Sequence, residues 1–451
     1  MAEVGNTELI NLINSGVSAS ELELKICEGA DVNCPGKMGL APLHHAVYEG
    51  NLDCVKLLLC HNADVNVQDH CGYSPLHLAA KYKRIEILQE LILKGADVHS
   101  RDAVGFPPLR LALQAGNHEC AAYLLRKGAN PNMYYKHFGY EVHMVNLSNA
   151  ECLELLLQFG ADPDAHDSRG LTALHIACQD GNVGFVQRLL KYNADIDAKS
   201  ANPSKENSTP LRYAVLEDEK EITELLLLSG ADPNEPDGRS NTPLHHAATQ
   251  GNIEMAKLLL KYGSNVSAKN EMMNEPLHQA CRYSHDPLMI DLLLQHGADP
   301  NSVTSNKETP LLLLLWKYGR ITKYDVEEID RELKMKIGYL FNFGAKVRFT
   351  NDRVDPFTLL HAKLNKLVVL TESMLSLAEF AQEISVEDDI GNVSPDMPSE
   401  ILTQLRFVKS NPKSLKHMTR LCIRNSLGER CQYKIHKLPL PQPLVKFVQY
   451  L

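Results

Sequence analysis

Apolar residues in this chain recur in short helical clusters at a fixed beat. The block TPLHHA begins at Thr242 with Pro243, and related blocks are anchored at Pro42, Pro75, Pro108, Ala173, Pro210, Pro276 and Pro310. The successive anchors lie 33, 33, 65, 37, 33, 33 and 34 residues apart. The 65-residue step holds two units, the hidden one being the degenerate EVHMVN around Val142. A second marker keeps the same phase: GADVN at Gly29, NADVN at Asn62, GADVH at Gly95, GANPN at Gly128, GADPD at Gly160, NADID at Asn193, GADPN at Gly230, GSNVS at Gly263 and GADPN at Gly297. Two markers in phase define a structural repeat of helix, turn, helix and loop.

Each position in the repeat has a physical reason. Thr242 caps a helix, and Pro243 presets φ at the first helical position, where a missing N–H is harmless. Leu244, Ala247 and Ala248 form a narrow apolar face, small enough for close stacking, and Ala256, Leu258, Leu259 and Leu260 face the core from the second helix. Gly251-Asn252 separates the two helices, and Gly263, or Asn62 in its own repeat, ends the second with a left-handed residue. One unit cannot bury both faces, so neighbours must stack. About ten units are expected over residues 1–350, with Glu8 to Asn33, which lacks the Thr-Pro start, as the N-terminal cap.

These blocks and markers resemble the ankyrin-repeat family from about Thr7 to Thr350. The expected fold is all-α, an ankyrin-repeat solenoid. His44, His77, His175, His245 and His278 all hold the fourth place of the block, where the family uses the imidazole to tie one turn to its neighbour. The adjacent pairs His44-His45 and His245-His246 are too close along a helix for both rings to reach one metal. No metal or cofactor is expected. The sequence also lacks an HExxH, a Walker loop, a GxSxG and the kinase signatures, so no residue is expected to be catalytic.

The pattern breaks at three places. Residues 130–150 gather Tyr134, Tyr135, Phe138 and Tyr140 where a loop and a first helix should stand. This is either a contact surface for a substrate protein or a drifted repeat that buries its aromatics. The loop from Ala198 to Ser208 is four residues above the period. Between Gly297 and Gly344 the marker is delayed to 47 residues by the charged segment KYGRITKYDVEEIDRELKMK, which is expected to lengthen the last helices as a recognition surface or as a solvated extension.

Charge and composition change the picture mainly at the C-terminus. The chain carries a formal charge of -10, which argues against wholesale nucleic-acid binding, yet from Arg406 to Leu451 ten Lys or Arg face one acid, Glu429. The eleven cysteines are scattered singly, a pattern of reduced thiols in the cytoplasm or nucleus. The N-terminus shows no signal-peptide pattern. The most apolar run, Leu311 to Trp316, is far shorter than the ~20 residues of a membrane span.

Residues 351–382 read as a worn terminal repeat, 383–398 as an acidic linker, and 399–451 as a small second module. In that module Asn411-Pro412 opens a helix and Gly428 closes it, with Leu415, Met418, Thr419, Cys422 and Ser426 on one face. The module resembles a SOCS box, and array plus box resemble the ankyrin-repeat and SOCS-box family. The family pattern for elongin B and elongin C falls on Ser414, Leu415, Thr419 and Ile423, with Met418 and Cys422 on the same helix. Thr419 stands where the family usually has Cys. The LPLP motif at Leu438, Pro439, Leu440 and Pro441, followed by Leu444, implies selection of cullin-5 with its RING-box protein. The resemblance implies a non-catalytic, substrate-recognition subunit of a ubiquitin ligase with an unidentified substrate protein. An ankyrin scaffold or inhibitor without ligase assembly is the alternative. The resemblance also implies that Asn66, eight residues after Leu58, is a candidate for asparagine hydroxylation.

Overall fold

A computed structural model describes residues 8–16, 18–145, 149–201, 207–319 and 326–345. These residues form two compact units, 1–231 and 232–451 in chain limits.

In the first unit seven helix pairs follow one another. They are α1 (Glu8–Asn14) with α2 (Ala19–Cys27), α3 (Pro42–Glu49) with α4 (Leu52–Cys60), α5 (Pro75–Lys81) with α6 (Ile85–Leu93), and α7 (Pro108–Gln114) with α8 (His118–Arg126). Then come α9 (Glu141–Met144) with α10 (Ala150–Gln158), α11 (Ala173–Gln179) with α12 (Val183–Lys191), and α13 (Pro210–Leu216) with α14 (Lys220–Leu228). First helices pack on first helices, as α3 does on α5 and α5 on α7, and second helices on second helices, as α4 does on α6 and α10 on α12. The second unit repeats this plan with α15 (Pro243–Gln250) and α16 (Ile253–Lys261), α17 (Pro276–Tyr283) and α18 (Pro287–Gln295), and α19 (Pro310–Gly319) and α20 (Val326–Asn342).

The expected start and stop signals operate as the chemistry requires. Thr242 is extended, Pro243 opens α15, and Gly251 ends it at φ 73°. Asn252 then caps α16, its side chain accepting the Met255 N–H at 3.1 Å. Asn62 and Asn193 take φ 62° and 60° where other repeats place glycine. Leu244, Ala247, Ala248, Ala256, Leu258 and Leu259 are buried. Leu260 is only half-buried, and Met255 fills the core place instead. The apolar stripe of α16 therefore runs 255, 256, 258 and 259, one helical face.

Two elements depart from a purely helical plan. Tyr134–Tyr135 (β1) and Gly139–Tyr140 (β2) pair antiparallel, Tyr134 opposite Tyr140, in a hairpin two residues wide within an otherwise α-helical fold. The charged insertion lengthens the last pair: α19 has 10 residues and α20 has 17, against 9 in α16 and α18. It is not simply solvated. Lys336 is fully buried, donates to the Ser284 carbonyl at 2.8 Å and pairs with Glu332, while Leu333, Ile337 and Leu340 enter the core. Lys317 donates to the same carbonyl at 2.6 Å, and burial, followed by the neighbouring Lys336 charge, brings its ammonium down to about 8.

Within the long loop, Ser200 and Ser208 close the base through a 2.9 Å main-chain bond, and residues 202–206 lie outside the described residues. The worn repeat at 351–382, the linker at 383–398 and the module at 399–451 also lie outside them. Among the described residues no helix is long and apolar enough to cross a membrane.

Candidate protein-interaction site

The repeats are joined by two sets of side chains that hold the loops between them. At the fourth place of the block, His245 Nδ1 accepts the Thr242 N–H at 3.1 Å, so its proton sits on Nε2, which donates to the Asn274 carbonyl of the next repeat at 2.9 Å. His44, His77, His175 and His278 make the corresponding bonds to Tyr73, Phe106, Ser208 and Ser302 at 2.8–3.1 Å. His143 does the same with Ala165 at 3.0 Å, which fixes the degenerate repeat in register. Burial holds the imidazoles of His175, His245 and His278 down at about 4.

Asparagines make the second set. Asn66 Nδ2 donates to Gly95 O at 3.3 Å while its Oδ1 accepts the Asp97 N–H at 2.8 Å. Asn33, Asn132 and Asn234 span their neighbours in the same way. The amide of Asn66 is thus already engaged on both sides.

The aromatic segment is organised by two departures that compensate one another. Arg110, like Arg212, takes the fourth place where most repeats have His, and donates from Nη1 to Met144 O at 2.8 Å. Glu141 takes the first helical place of α9, where most other repeats have Pro, and is fully buried with an oxygen 3.7 Å from Arg110 Nη1. Tyr135 is buried and donates its hydroxyl to Glu141. Burial raises the Glu141 carboxyl to about 7, against the opposing pull of Tyr135 and Arg110.

Of the four aromatics singled out, Tyr134 and Phe138 are about half exposed, at 50% and 52%, Tyr140 is part-buried against Tyr134, and Tyr135 is inside. Phe106 joins the group, 5.1 Å from Tyr135 and 6.1 Å from Phe138, ring to ring. The segment therefore buries one aromatic as an anchor and leaves two exposed.

Phe138 has neighbours that the pattern of breaks did not reveal. In each of four successive loops the residue before the tip glycine is apolar and exposed: Met38 before Gly39, Cys71 before Gly72, Val104 before Gly105, and Phe138 before Gly139. Their spacing of 33, 33 and 34 residues is the signal that aligned loops would have shown. The tips touch. His70 N donates to Met38 O and Ala103 N to Cys71 O, both at 2.9 Å. Gly72 has φ +78°, and a Cβ there would lie 2.6 Å from Ala103 N, so only glycine permits this approach.

Ser414, Leu415, Met418, Thr419, Cys422 and Ile423, and Leu438, Pro439, Leu440, Pro441 and Leu444, lie outside the described residues. Among the described residues no cysteine is in a disulfide, and burial pushes Cys120 and Cys152 up to about 11, away from nucleophilic character. Among the described residues no group of three His, Cys, Asp or Glu is placed to hold a metal.

Comparison with known proteins agrees with this architecture. A family model of ankyrin repeats in three copies matches residues 3–102, 43–135, 142–237 and 221–304, and a SOCS box model matches residues 411–449. The human Ankyrin repeat and SOCS box protein 11 is 32% identical over 95 residues, which are 21% of this chain and 29% of that protein. Human Protein phosphatase 1 regulatory subunit 27 is 49% identical over 50 residues, 11% of this chain and 32% of that protein. The chain thus spans less than a third of the length of these relatives. The crystal structure of the ankyrin repeat domain of Bcl-3 aligns with a TM-score of 0.42 and 27% identity, covering 50% of this chain and 97% of that one. With its repeats matched over most of its length and a SOCS box behind them, the chain belongs to the ankyrin-repeat and SOCS-box family.

Proposed function

We propose that this chain is the substrate-recognition subunit of an elongin B/C–cullin-5 RING ubiquitin ligase. The observation that carries the reading is the union in one chain of an ankyrin array and a SOCS box at 411–449. In this reading the array holds a substrate protein. Ser414, Leu415, Met418, Thr419, Cys422 and Ile423 bind elongin B and elongin C, and Leu438, Pro439, Leu440, Pro441 and Leu444 select cullin-5 with its RING-box protein. Residues 351–382 and 383–398 join the two modules as a terminal extension and an acidic linker.

The chain supplies no catalytic group. The reacting thiol belongs to a separate ubiquitin-conjugating enzyme, and this subunit acts by raising the effective concentration of a substrate lysine beside it. The assembly works in the cytoplasm and also in the nucleus, where single, unpaired thiols stay reduced. A scaffold without ligase assembly is favoured by one residue, Thr419, whose hydroxyl needs a partner when buried where Cys does not.

Reconstitution separates the two. The full chain mixed with elongin B–C and cullin-5 bound to its RING-box protein should elute as one complex. Alanines at Leu438 and Leu440 should release the cullin and leave elongin B–C bound. A chain that elutes alone while folded leaves the scaffold reading.

A further inference from the structure

The row of loop tips has a chemistry of its own. Met38 is 62% exposed, Val104 69% and Phe138 52%, Cys71 is exposed between them, and the exposed Tyr134 belongs to the same hairpin as Phe138. The tips are laced by main-chain bonds from Met38 to His70 and from Cys71 to Ala103, and the Phe106 ring carries the row on to Phe138. Exposed apolar side chains in a contiguous row mark a contact surface more than scattered ones do.

The exposed charges at the tips themselves are basic. Lys37, Arg101 and Lys136 are exposed and enter no ion pair among the described residues, and His70 and His137 are exposed at the tips. The carboxylates of the same tips are committed to main-chain N–H groups. Asp69 accepts the N–H groups of Cys71 and Tyr73 at 2.9 and 2.8 Å, and Asp102 those of Val104 and Phe106 at the same distances. Asp31, Asp64 and Asp97 are exposed but sit at the loop roots, seven residues before the tips Met38, Cys71 and Val104, and accept the N–H groups of Asn33, Asn66 and His99. The fourth loop, from 130 to 140, contains no acid. In a chain of net charge -10 this is a local strip of cations and apolar tips without an exposed tip carboxylate.

We propose that the tips Met38, Cys71, Val104 and Phe138, flanked by Lys37, Arg101 and Lys136, dock a segment of a partner protein that is acidic and carries apolar side chains. The inference rests on the reading of the array as a substrate receptor and narrows its substrate class. Charge complementarity selects the acidic partner. The aliphatic tips select protein over nucleic acid, because Met38 and Val104 offer neither stacking nor phosphate contacts.

A phage-displayed library of random peptides, selected on the full chain, tests this directly. Enriched peptides should combine Asp or Glu with Leu, Met or aromatic residues. Their affinity should fall on the order of tenfold in a Lys37→Glu, Arg101→Glu, Lys136→Glu variant and in a Val104→Asp, Phe138→Asp variant. All five positions are exposed or half exposed, so both variants should melt with the parent and bind elongin B–C as the parent does. No enrichment, enrichment without an acidic bias, or affinities that neither variant changes would overturn the proposal. So would binding of a single-stranded oligouridylate that depends on the same three cations. If the parent selects acidic peptides through the strip but does not bind elongin B–C, the ligase reading fails and the docking strip stands. The reverse result removes the strip alone.

Discussion

His245 has both ring nitrogens committed, one to the start of its own helix and one to Asn274 of the next repeat. Replacing it with Ala leaves the Thr242 N–H and the Asn274 carbonyl buried without that partner and opens space in the core. The expected loss is about 2 to 4 kcal/mol, read from urea unfolding. A loss within experimental error would contradict the tie. The same bonds require a neutral ring, which sets a pH dependence. In the folded state His175, His245 and His278 bind protons only near pH 4, against about 6.5 for an unfolded histidine. As pH falls through this window the unfolded state takes up protons first, so the stability contributed by the neutral rings is full above about pH 6.5 and declines toward about pH 4. Glu141 acts in the opposite sense, since a carboxyl raised to about 7 loses stability as pH rises through that value. A Glu141→Gln background removes that opposing contribution. Unfolding there should be easier at about pH 5 than at about pH 7, and equal stability at the two would contradict the assignment.

Such residues were legible because they recur: a Thr-Pro pair or a fourth-place His is recognised by its copies. Met255 was not, because a core place five residues before the expected Leu260 leaves the composition of α16 unchanged. Arg110 and Glu141 were not either, and Tyr135 stood out only as one of four aromatics. Arg110 and Glu141 lie 31 residues apart and meet only through stacking, and each alone reads as drift from the repeat.

At the scale of elements, that trio explains how α9 starts without Pro and why a hairpin precedes it. Arg110 replaces a His tie, Glu141 neutralises it, and Tyr135 gives the carboxylate a donor while pinning β1. Removing one member of a buried ion pair is costly, whereas replacing the whole group by residues suited to the place is not. Arg110→His or Glu141→Pro alone should each cost about 3 kcal/mol. The triple variant Arg110→His, Glu141→Pro, Tyr135→Phe should return to within about 1 kcal/mol of the parent by urea unfolding. Independent, additive losses would show that the three do not act together. The extended backbone of Tyr140, φ -91° and ψ 166°, already suits a following proline. The last helices were legible in another way, through a delayed marker and helical charge spacing. What the sequence left open was that one of those charges, Lys336, closes the end of α17 from inside the core.

For the whole molecule, the repeats and the box were both readable, since each depends on residues that the fold or a partner holds fixed. The substrate was not, because exposed loop residues can change without disturbing the stack beneath them. The row of tips, though spaced by the repeat, stood out once the structure laid four loops side by side. The central claim is that the array is tied to a ligase through its C-terminal module, and binding of purified elongin B–C to the full chain tests it most directly, beside a Leu415→Ser variant that puts a polar group at the proposed anchor. Micromolar or tighter binding that the variant abolishes is the predicted result, and a folded parent chain that binds no elongin B–C would contradict it.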